Sequence, residues 1–395
     1  MLIATTVLLL GLLVGIVVAQ LYGLRLGGVI IVPLVAVYLL RSFATFPIFL
    51  LSTIAAYVSL YYIKRRIPIY GRHLFLLAIL TGALVPILVI ELITSGFGVE
   101  RTLSEVEFVG SVLPGIAAYN FHRLDPERRV TDGILSLAVL LLLVIVGIVL
   151  TIFVGLTPLS TVLPPLLLSP ESDIAVSLGL TVQRPTLPVI ASTQLTLGLV
   201  MLGMAIAELM RSRYGLRLAG VIVLPLVALI AFRNEFLLPV WVVSVALAYV
   251  GISILHRWTL IYGRVLLAFG VIVGILTTIS LVTIIPVRHG LLPFFIGLLA
   301  GITAYNFHVV PPAERLATVA VTIGALVGVI FVARLFIIPS PRGLLVAVTA
   351  TDLRIGGALL VPAGIALIQL ERIRPSRAAR PKGGGLDLLT QEEGE

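Results

Sequence analysis

Cysteine is absent from all 395 residues of the chain, and charged residues are scarce. Without cysteine the chain has no disulfide, no thiolate metal site and no thiol nucleophile. Only 11% of the residues are charged, whereas a soluble domain carries about one quarter. Because 59% of the residues are hydrophobic, a water-soluble fold would lack a polar surface. The composition therefore indicates an integral membrane protein.

Motifs of common catalytic sites are missing as well. The chain contains no GxxxxGK[ST] phosphate loop, no HExxH metal motif, no GxSxG nucleophile elbow and no paired aspartate-rich magnesium motif. We therefore expect no catalytic residues, no metal ligands and no cofactor in this chain. Any enzymatic step would belong to a partner.

Long apolar segments make up most of the chain. The runs 135–154 and 316–338 are apolar on every helical face and reach the ~20 residues needed to cross hydrocarbon. Six apolar segments occur in the first half, at 2–19, 26–40, 47–63, 74–95, 108–121 and 133–157. The second half repeats all six, and a further segment lies at 355–370. The prediction is an all-α polytopic membrane bundle of about 13 transmembrane helices.

The two halves carry the same sequence pattern. Residues 22–36 read YGLRLGGVIIVPLVA and residues 214–228 read YGLRLAGVIVLPLVA, with twelve identities in fifteen positions at an offset of 192. At an offset of 186, residues 115–122 (GIAAYNFH) match residues 301–308 (GITAYNFH) in seven of eight positions. This similarity predicts two copies of one structural unit.

The duplication predicts five parts along the chain. They are a first membrane copy at 1–157, an extracytoplasmic linker at 158–193, a second membrane copy at 194–338, a C-terminal transmembrane helix with its flanks at 339–374, and a disordered cytoplasmic tail at 375–395.

The basic residues predict the orientation of the chain in a cell membrane. With the N-terminus outside and the C-terminus in the cytoplasm, inner loops and the tail collect nineteen of the 27 basic residues. Six crossings per copy then give both copies the same orientation. The formal charge of +9 is thus interpreted as an orientation signal rather than as a nucleic-acid site.

Two short apolar segments in each copy contain helix-breaking residues. Interrupted short spans at matching repeat positions are where transporter sites tend to lie. The alternative is that small residues only allow helices to pack closely, as in small-xxx-small motifs. The helix-break candidates are Gly27, Gly28, Pro33, Pro114, Gly115, Gly220, Pro225 and Gly301.

Polar residues recur at the predicted inner ends of both copies. Arginine forks hold carboxylate or phosphate through parallel hydrogen bonds, and Tyr, Asn and His add oriented polar groups. The alternatives are orientation, interfacial anchoring and helix capping. The binding or docking candidates are Arg25, Tyr70, Arg72, Asn120, His122, Arg217, Tyr262, Arg264, Asn306 and His308.

Motifs in a fixed order carry a resemblance to a known family. Residues 23–33 read G-x-x-x-G-G followed by an apolar run and Pro, and residues 70–72 read Tyr-Gly-Arg after a basic turn. Residues 107–110 (EFVG) then lead into residues 113–117 (LPGIA). Together these motifs resemble the poly-γ-glutamate synthesis membrane subunit of the PgsC/CapC capsule biosynthesis family.

The resemblance covers residues 5–155 and 195–338, so the chain is similar to a tandem fusion of two family units with an added helix. It implies a non-catalytic membrane component of a complex that makes and exports poly-γ-glutamate. The implied partners are membrane lipid, an ATP-dependent polyglutamate ligase, further membrane subunits and the polyglutamate chain.

Two other functions compete with this one. The first is a secondary transporter or channel for a small solute or anion, although Glu91, Glu208 and Arg334 in the apolar segments do not recur in the other copy. The second is an intramembrane enzyme acting on a lipid-linked anion, which would need a clustered acid, base or metal set.

The orientation is testable by labelling from outside the cell. A reporter placed beside Arg72 or Arg264 is expected to escape a membrane-impermeant reagent, because both residues lie at inner helix ends. A reporter within the linker 158–193 is the positive control and should react. Modification beside Arg72 or Arg264 would contradict the proposed orientation.

Overall fold

The computed structural model describes residues 2–69, 71–97, 105–156, 190–285 and 291–373. Most of the linker 158–193, the whole tail 375–395 and Tyr70 lie outside these described residues. Every regular element within them is an α-helix, which confirms the expected all-α fold class. The helices are α1 (Leu2–Tyr22), α2 (Ile31–Arg41), α3 (Thr45–Arg66), α4 (Gly71–Phe97), α5 (Glu105–His122), α6 (Pro126–Leu156), α7 (Thr193–Tyr214), α8 (Val223–Arg233), α9 (Leu237–Thr259), α10 (Gly263–Ile284), α11 (Leu292–Val309), α12 (Pro312–Arg334) and α13 (Ala350–Ile373).

The helix lengths fit a polytopic membrane protein. Nine helices in the described ranges are long and apolar enough to cross a bilayer. By contrast, α2 and α8 have only 11 residues each, about 16 Å of helix, and cannot cross a ~30 Å hydrocarbon core alone. They occupy the same place in the two copies, because α1–α6 correspond in order to α7–α12.

Each copy consists of two groups of three packed helices. In the first copy α3, α4 and α5 pack together, and α2 packs between α1 and α6. In the second copy α9, α10 and α11 pack together, while α8 packs on α7 and α12. The copies meet where α1 contacts α10 and where α5 contacts α7 and α8. The added helix α13 packs on α12.

The second helix of the first copy begins at Ile31, not at residue 26 as the apolar pattern predicted. Residues 23–30 are irregular because Leu26, Gly27 and Gly28 have φ values of 51°, 61° and 132°. These values lie outside the right-handed helical region and are tolerated best by glycine. Gly27 and Gly28 therefore interrupt the span as expected, and Gly220, with φ 153°, lies in the matching segment before α8.

The short helix α2 runs back along α1. A Cβ atom on Gly11 would collide with the ring of Pro33, and one on Gly15 would collide with Val29. The later residue of α1 thus faces the earlier residue of the second segment, so the two helices run antiparallel. The chain therefore runs back along α1 through both the irregular segment 23–30 and α2, because the 11-residue helix alone is shorter than α1.

The two proline candidates start helices rather than break them. Pro33 is the third residue of α2 and Pro225 is the third residue of α8. An amide at this position has no partner within its own helix, so proline sacrifices no hydrogen bond there. The ring of Pro225 packs against Gly203 of α7, as Pro33 packs against Gly11.

The expected interruption at Pro114, Gly115 and Gly301 is wrong, because α5 and α11 run continuously through these residues. Their glycines instead allow close helix packing, which was the alternative interpretation. Gly115 lies against the backbone of Ala78 in α4, and Gly301 lies against the backbone of Gly270 in α10. A side chain at either position would push two helices apart.

We expect Gly301→Ala to lower the stability of the protein by about 1–3 kcal/mol, because a methyl group there collides with the backbone of α10. Thermal unfolding of the detergent-purified protein measures the effect. The matched control is Gly328→Ala on α12, where a Cβ atom meets nothing within 4 Å. Equal melting temperatures for the two variants would contradict the packing argument.

Candidate functional site

A cavity of about 620 Å³ lies between the two copies. Much of its wall comes from matched positions, among them Gly28 with Gly220, Arg72 with Arg264, and Asn120 with Asn306. Corresponding helix ends of both copies thus face one space, which we call the central cavity. Two units of opposite orientation would place Arg72 and Arg264 at opposite ends of the bundle. The geometry therefore agrees with two copies that face the same way.

Arginines surround the central cavity. Those that line it are Arg72, Arg123, Arg211, Arg217 and Arg264. Among the described lining residues there is no aspartate or glutamate. A concave site with one sign of charge and low-dielectric walls concentrates ions of the opposite sign. The cavity is therefore suited to an anion.

The arginines form two groups that each combine both copies. Arg264 of the second copy lies near Arg25 and Arg123 of the first, and we call these three the first arginine trio. The second arginine trio consists of Arg72, Arg211 and Arg217, with Arg72 from the first copy. Because Arg25 corresponds to Arg217 and Arg72 to Arg264, each trio joins a loop arginine of one copy to a first-turn arginine of the other.

The loop arginine Arg25 lies beside the cavity rather than in its lining. Burial of its guanidinium and the nearby positive charge of Arg123 lower the pKa of Arg25 from its ordinary value. The Nη1 atom of Arg25 is buried without a hydrogen-bond partner in the described structure. A hydrogen bond from this buried donor to an anion would be favourable.

A carboxylate of the second copy forms an ion pair with an arginine of the second trio. Glu208 of α7 places Oε2 3.0 Å from Nε of Arg72, and its Oε1 lies 3.4 Å from Nε2 of His73. This ion pair joins the two copies. The position that corresponds to Glu208 in the first copy is Ile16, so the first trio has no equivalent carboxylate. The first trio instead has the carboxylate of Asp132 nearby, which acts on both Arg25 and Arg264.

The starts of both short helices also face the central cavity. Its lining includes residues 28–31 before and at the start of α2, and residues 220–223 before and at the start of α8. A helix carries a partial positive charge at its N-terminus. The two helix ends therefore add to the potential that the arginines create.

Two asparagines hold the irregular segments against the cavity wall. Nδ2 of Asn120 donates to the carbonyl oxygens of Gly27 at 2.9 Å and Ile116 at 3.0 Å. In the second copy Nδ2 of Asn306 donates to the carbonyl oxygen of Ala219 at 2.7 Å. Because Gly27 and Ala219 occupy matching positions, the same clamp ties α5 to the segment before α2 and α11 to the segment before α8.

A buried aspartate stabilises the irregular segment of the first copy. The carboxylate of Asp132 accepts hydrogen bonds from the backbone amides of Arg25 at 2.6 Å, Leu26 at 2.8 Å and Gly27 at 3.0 Å. Asp132 has no exposed surface. Three amides around one carboxylate compensate for the burial of its charge and for the lost helical pairing of the segment.

The second copy has different residues at the matching positions. Thr318 occupies the position of Asp132, and Ala219 occupies that of Gly27. Leu218 and Ala219 do not have the positive φ values of Leu26 and Gly27. The hydroxyl of Thr318 is buried without a hydrogen-bond partner in the described structure. The carboxylate and the left-handed backbone thus occur together in one copy only.

The histidine candidates lie outside the central cavity. His122 places Nε2 2.9 Å from the carbonyl oxygen of Tyr57 and stacks on that ring with centroids 4.2 Å apart. His308 places Nδ1 3.2 Å from Oγ of Ser253, and its ring lies 5.0 Å from that of His256. These contacts connect α3 to α5 and α9 to α11. The structure does not bring His122 or His308 to the arginine trios.

A matched arginine and tyrosine strengthen each histidine contact. Nη1 of Arg129 donates to Oη of Tyr57 at 2.9 Å, and Nη1 of Arg315 donates to Oη of Tyr249 at 2.9 Å. The candidate Tyr262 is exposed and makes an edge contact with the ring of His256. These groups fix helix ends, while Tyr70 lies outside the described residues.

Three residues of the site were not among the candidates predicted from sequence. Arg123 and Arg211 were counted only among the nineteen inner basic residues that indicate orientation. Asp132 was not singled out at all. A lone aspartate at the start of a long apolar run was the available signal, because such a charge needs buried partners.

The interior of the central cavity is apolar. Matched pairs on α5 and α11, Leu113 with Leu299 and Ile116 with Ile302, line it beyond the arginines. No group of three or more potential metal ligands occurs among the described His, Asp and Glu side chains. The cavity thus presents guanidinium groups next to an apolar surface.

Comparison with known proteins identified a family. The family model for capsule biosynthesis CapC matches residues 10–130 and 202–316, together more than half of the chain. The two matched segments start 192 residues apart and end 186 residues apart, the offsets of the duplication. No curated protein and no solved structure matches the chain.

We expect Asp132→Asn to destabilise the irregular segment 23–30 by about 1.5–3 kcal/mol, the value of hydrogen bonds to a charged group. The loss should appear as a lower melting temperature and as faster proteolysis between α1 and α2. The control is Asp125→Asn, an exposed aspartate seven residues earlier. Unchanged stability and proteolysis in Asp132→Asn would contradict the role of the carboxylate.

Proposed function

Because this chain belongs to the capsule biosynthesis CapC family, we propose that it is a non-catalytic membrane component of a complex that makes and exports poly-γ-glutamate. It docks the ATP-dependent ligase at one end of the bundle and receives the growing polyanion there. The observation that carries this proposal is the central cavity, which five arginines line at the junction of the two copies.

The polymer has the chemistry that this cavity binds. A γ-linked glutamate chain carries one free carboxylate per residue, and a guanidinium holds a carboxylate through two parallel hydrogen bonds. Two arginine trios on different sides of one cavity can engage two carboxylates of the same chain. Such simultaneous contacts raise the affinity for a polymer over that for a single glutamate.

The ligase has a separate surface at the same end of the bundle. The exposed residues Lys64, Arg65 and Arg66 end α3, just before Arg72 in the chain, and exposed Arg257 lies at the position equivalent to Arg65. Exposed Arg128 lies beside Gly23. We call these five residues the basic rim. A ligase bound to the basic rim would release its anionic product next to the central cavity.

A small-anion transporter is the second candidate. It is favoured by the short helices α2 and α8, which follow irregular segments at matching positions of the two repeats and start at the arginine-lined cavity. Such a transporter would move free glutamate across liposomes that contain only the unmodified chain. The polymer function requires no such flux of free glutamate.

Two double variants separate docking from polymer binding. Arg65→Glu with Arg257→Glu reverses two charges of the basic rim and is expected to reduce co-purification of the ligase about tenfold or more. Arg72→Gln with Arg264→Gln removes one charge from each trio and should leave co-purification intact while lowering polymer output. The measurements are ligase pull-down and exported polymer, in a host that lacks its own copy and retains the ligase.

Each double variant serves as the control for the other, because both change two matched arginines. Protein abundance in the membrane is measured in parallel to detect misfolding. Polymer output that remains the same without this protein would reject the proposed function. Loss of ligase binding in the cavity variant would place the docking surface in the cavity instead.

A further inference from the structure

An aromatic contact joins the two copies beyond the lining of the central cavity. Tyr38 of α2 and Phe295 of α11 place their ring centroids 6.0 Å apart. Tyr38 is 4% exposed and Phe295 is 1% exposed. Phe294, which is fully buried, packs edge-on against Phe295 with centroids 5.2 Å apart. This contact joins the first copy to the second deep inside the bundle.

The aromatic contact lies one helical turn beyond the cavity lining. Leu34 lines the cavity, and Tyr38 follows it by four residues on α2. Leu299 also lines the cavity, and Phe295 precedes it by four residues on α11. Residues four apart lie on the same helix face. Tyr38 and Phe295 therefore lie on the same helix faces as two wall residues of the cavity, one turn further into the bundle.

The cavity is elongated along the helices. On α5 its lining runs from Asn120 to Val112, and on α11 it runs from Asn306 to Leu298. Eight residues of helix measure about 12 Å. The space thus leads from the arginines towards the middle of the bundle, between the copies, in the direction of the aromatic contact.

We infer that the central cavity is the entrance of a path by which a carboxylate-rich chain crosses the membrane between the two copies, and that the Tyr38–Phe295 contact is its closed gate. This inference rests on the proposed function and adds that the polymer passes through this chain. The arginine trios collect the carboxylates at the entrance. An apolar constriction excludes water and ions until its walls separate.

The construction of α2 allows the gate to move. The helix has only 11 residues and follows the irregular segment 23–30, whose backbone departs from helical geometry at Gly27 and Gly28. Segments that absorb changes of φ and ψ are the usual hinges of moving elements. Carboxylates that bind beside this segment would have to change its hydrogen bonds to Asp132 and Asn120 in order to move α2 relative to α11.

The gate is not symmetric. The position of Tyr38 is occupied in the second copy by Ile230, an aliphatic residue that is also buried. The aromatic contact is thus made by α2 of the first copy against α11 of the second. The first copy also has the Asp132 carboxylate that holds the segment before α2.

A reversible cross-link tests whether the contact must open. The chain has no cysteine, so Tyr38→Cys with Phe295→Cys provides one defined pair for a bridging thiosulfonate reagent. Bridging should abolish polymer export in cells, and a reductant should restore it. The matched control is Ser244→Cys with Thr278→Cys, a buried pair with oxygens 2.7 Å apart that joins α9 to α10 within one copy. Its bridging should leave export unchanged.

Flux through liposomes tests the gate without the ligase. Tyr38→Ala with Phe295→Ala should raise the efflux of an entrapped γ-linked glutamate oligomer by about two- to tenfold, the population shift that loss of one aromatic pair produces. Entrapped sucrose should stay inside. Adding Arg72→Gln and Arg264→Gln should lower oligomer efflux again, and Tyr38→Phe should remain closed because it keeps the ring.

The outcomes distinguish the gate from the proposed function. Normal polymer export with the Tyr38–Phe295 bridge in place would overturn the gate, while ligase docking would still stand. Unchanged oligomer efflux in the alanine variant, with the protein folded and inserted, would also overturn it. If the chain has no part in polymer synthesis or export, the unmodified protein will not restore polymer in the host that lacks its own copy. That result would reject the proposed function independently of the gate experiments.

Discussion

Hydrocarbon offers no hydrogen bonds to a peptide group, so each irregular stretch of backbone within a membrane bundle needs partners from the protein. The segment 23–30 is the place where this constraint acts most strongly. Asp132 accepts from three of its amides, and Asn120 donates to the carbonyl of Gly27. These bonds allow a helix to start in the middle of the bundle instead of at its surface.

The position of the cavity follows from that early start. Because α2 begins at Ile31 and α8 begins at Val223, space remains between the copies at the arginine end of the bundle. The asparagine clamps place the two irregular segments against α5 and α11, whose apolar faces form the interior walls. Guanidinium groups from both copies then converge on one space. A single copy would supply only part of each trio.

Fusion of two units in one chain has allowed the copies to differ. Glu208 gives a carboxylate to one arginine trio only, Asp132 has been replaced by Thr318 in the second copy, and Tyr38 corresponds to Ile230. A symmetric pair of identical units would present the same residues on both sides of a shared cavity. The differences between the copies therefore make the shared cavity asymmetric about the axis that relates them.

Composition and periodicity determined the membrane class, the all-helical fold and the duplication, because each depends on residue type and spacing alone. The order of the motifs determined the family. Gly27 and Gly28 were identified as a break since left-handed backbone favours glycine, but Gly115 and Gly301 were not distinguished from them. Both kinds of glycine look alike in sequence, and only the neighbouring helix shows whether the missing side chain serves a turn or a close contact.

Tertiary structure alone decided which polar residues share a site. The sequence placed Arg72, Asn120 and His122 together at one end of the bundle, yet rotation of α5 turns Asn120 towards the cavity and His122 towards Tyr57. Arg123, Arg211 and Asp132 joined the site although no repeat pointed to them. Contacts between residues about one hundred positions apart, or between the two copies, depend on how the helices pack, and a linear pattern carries no information about that packing.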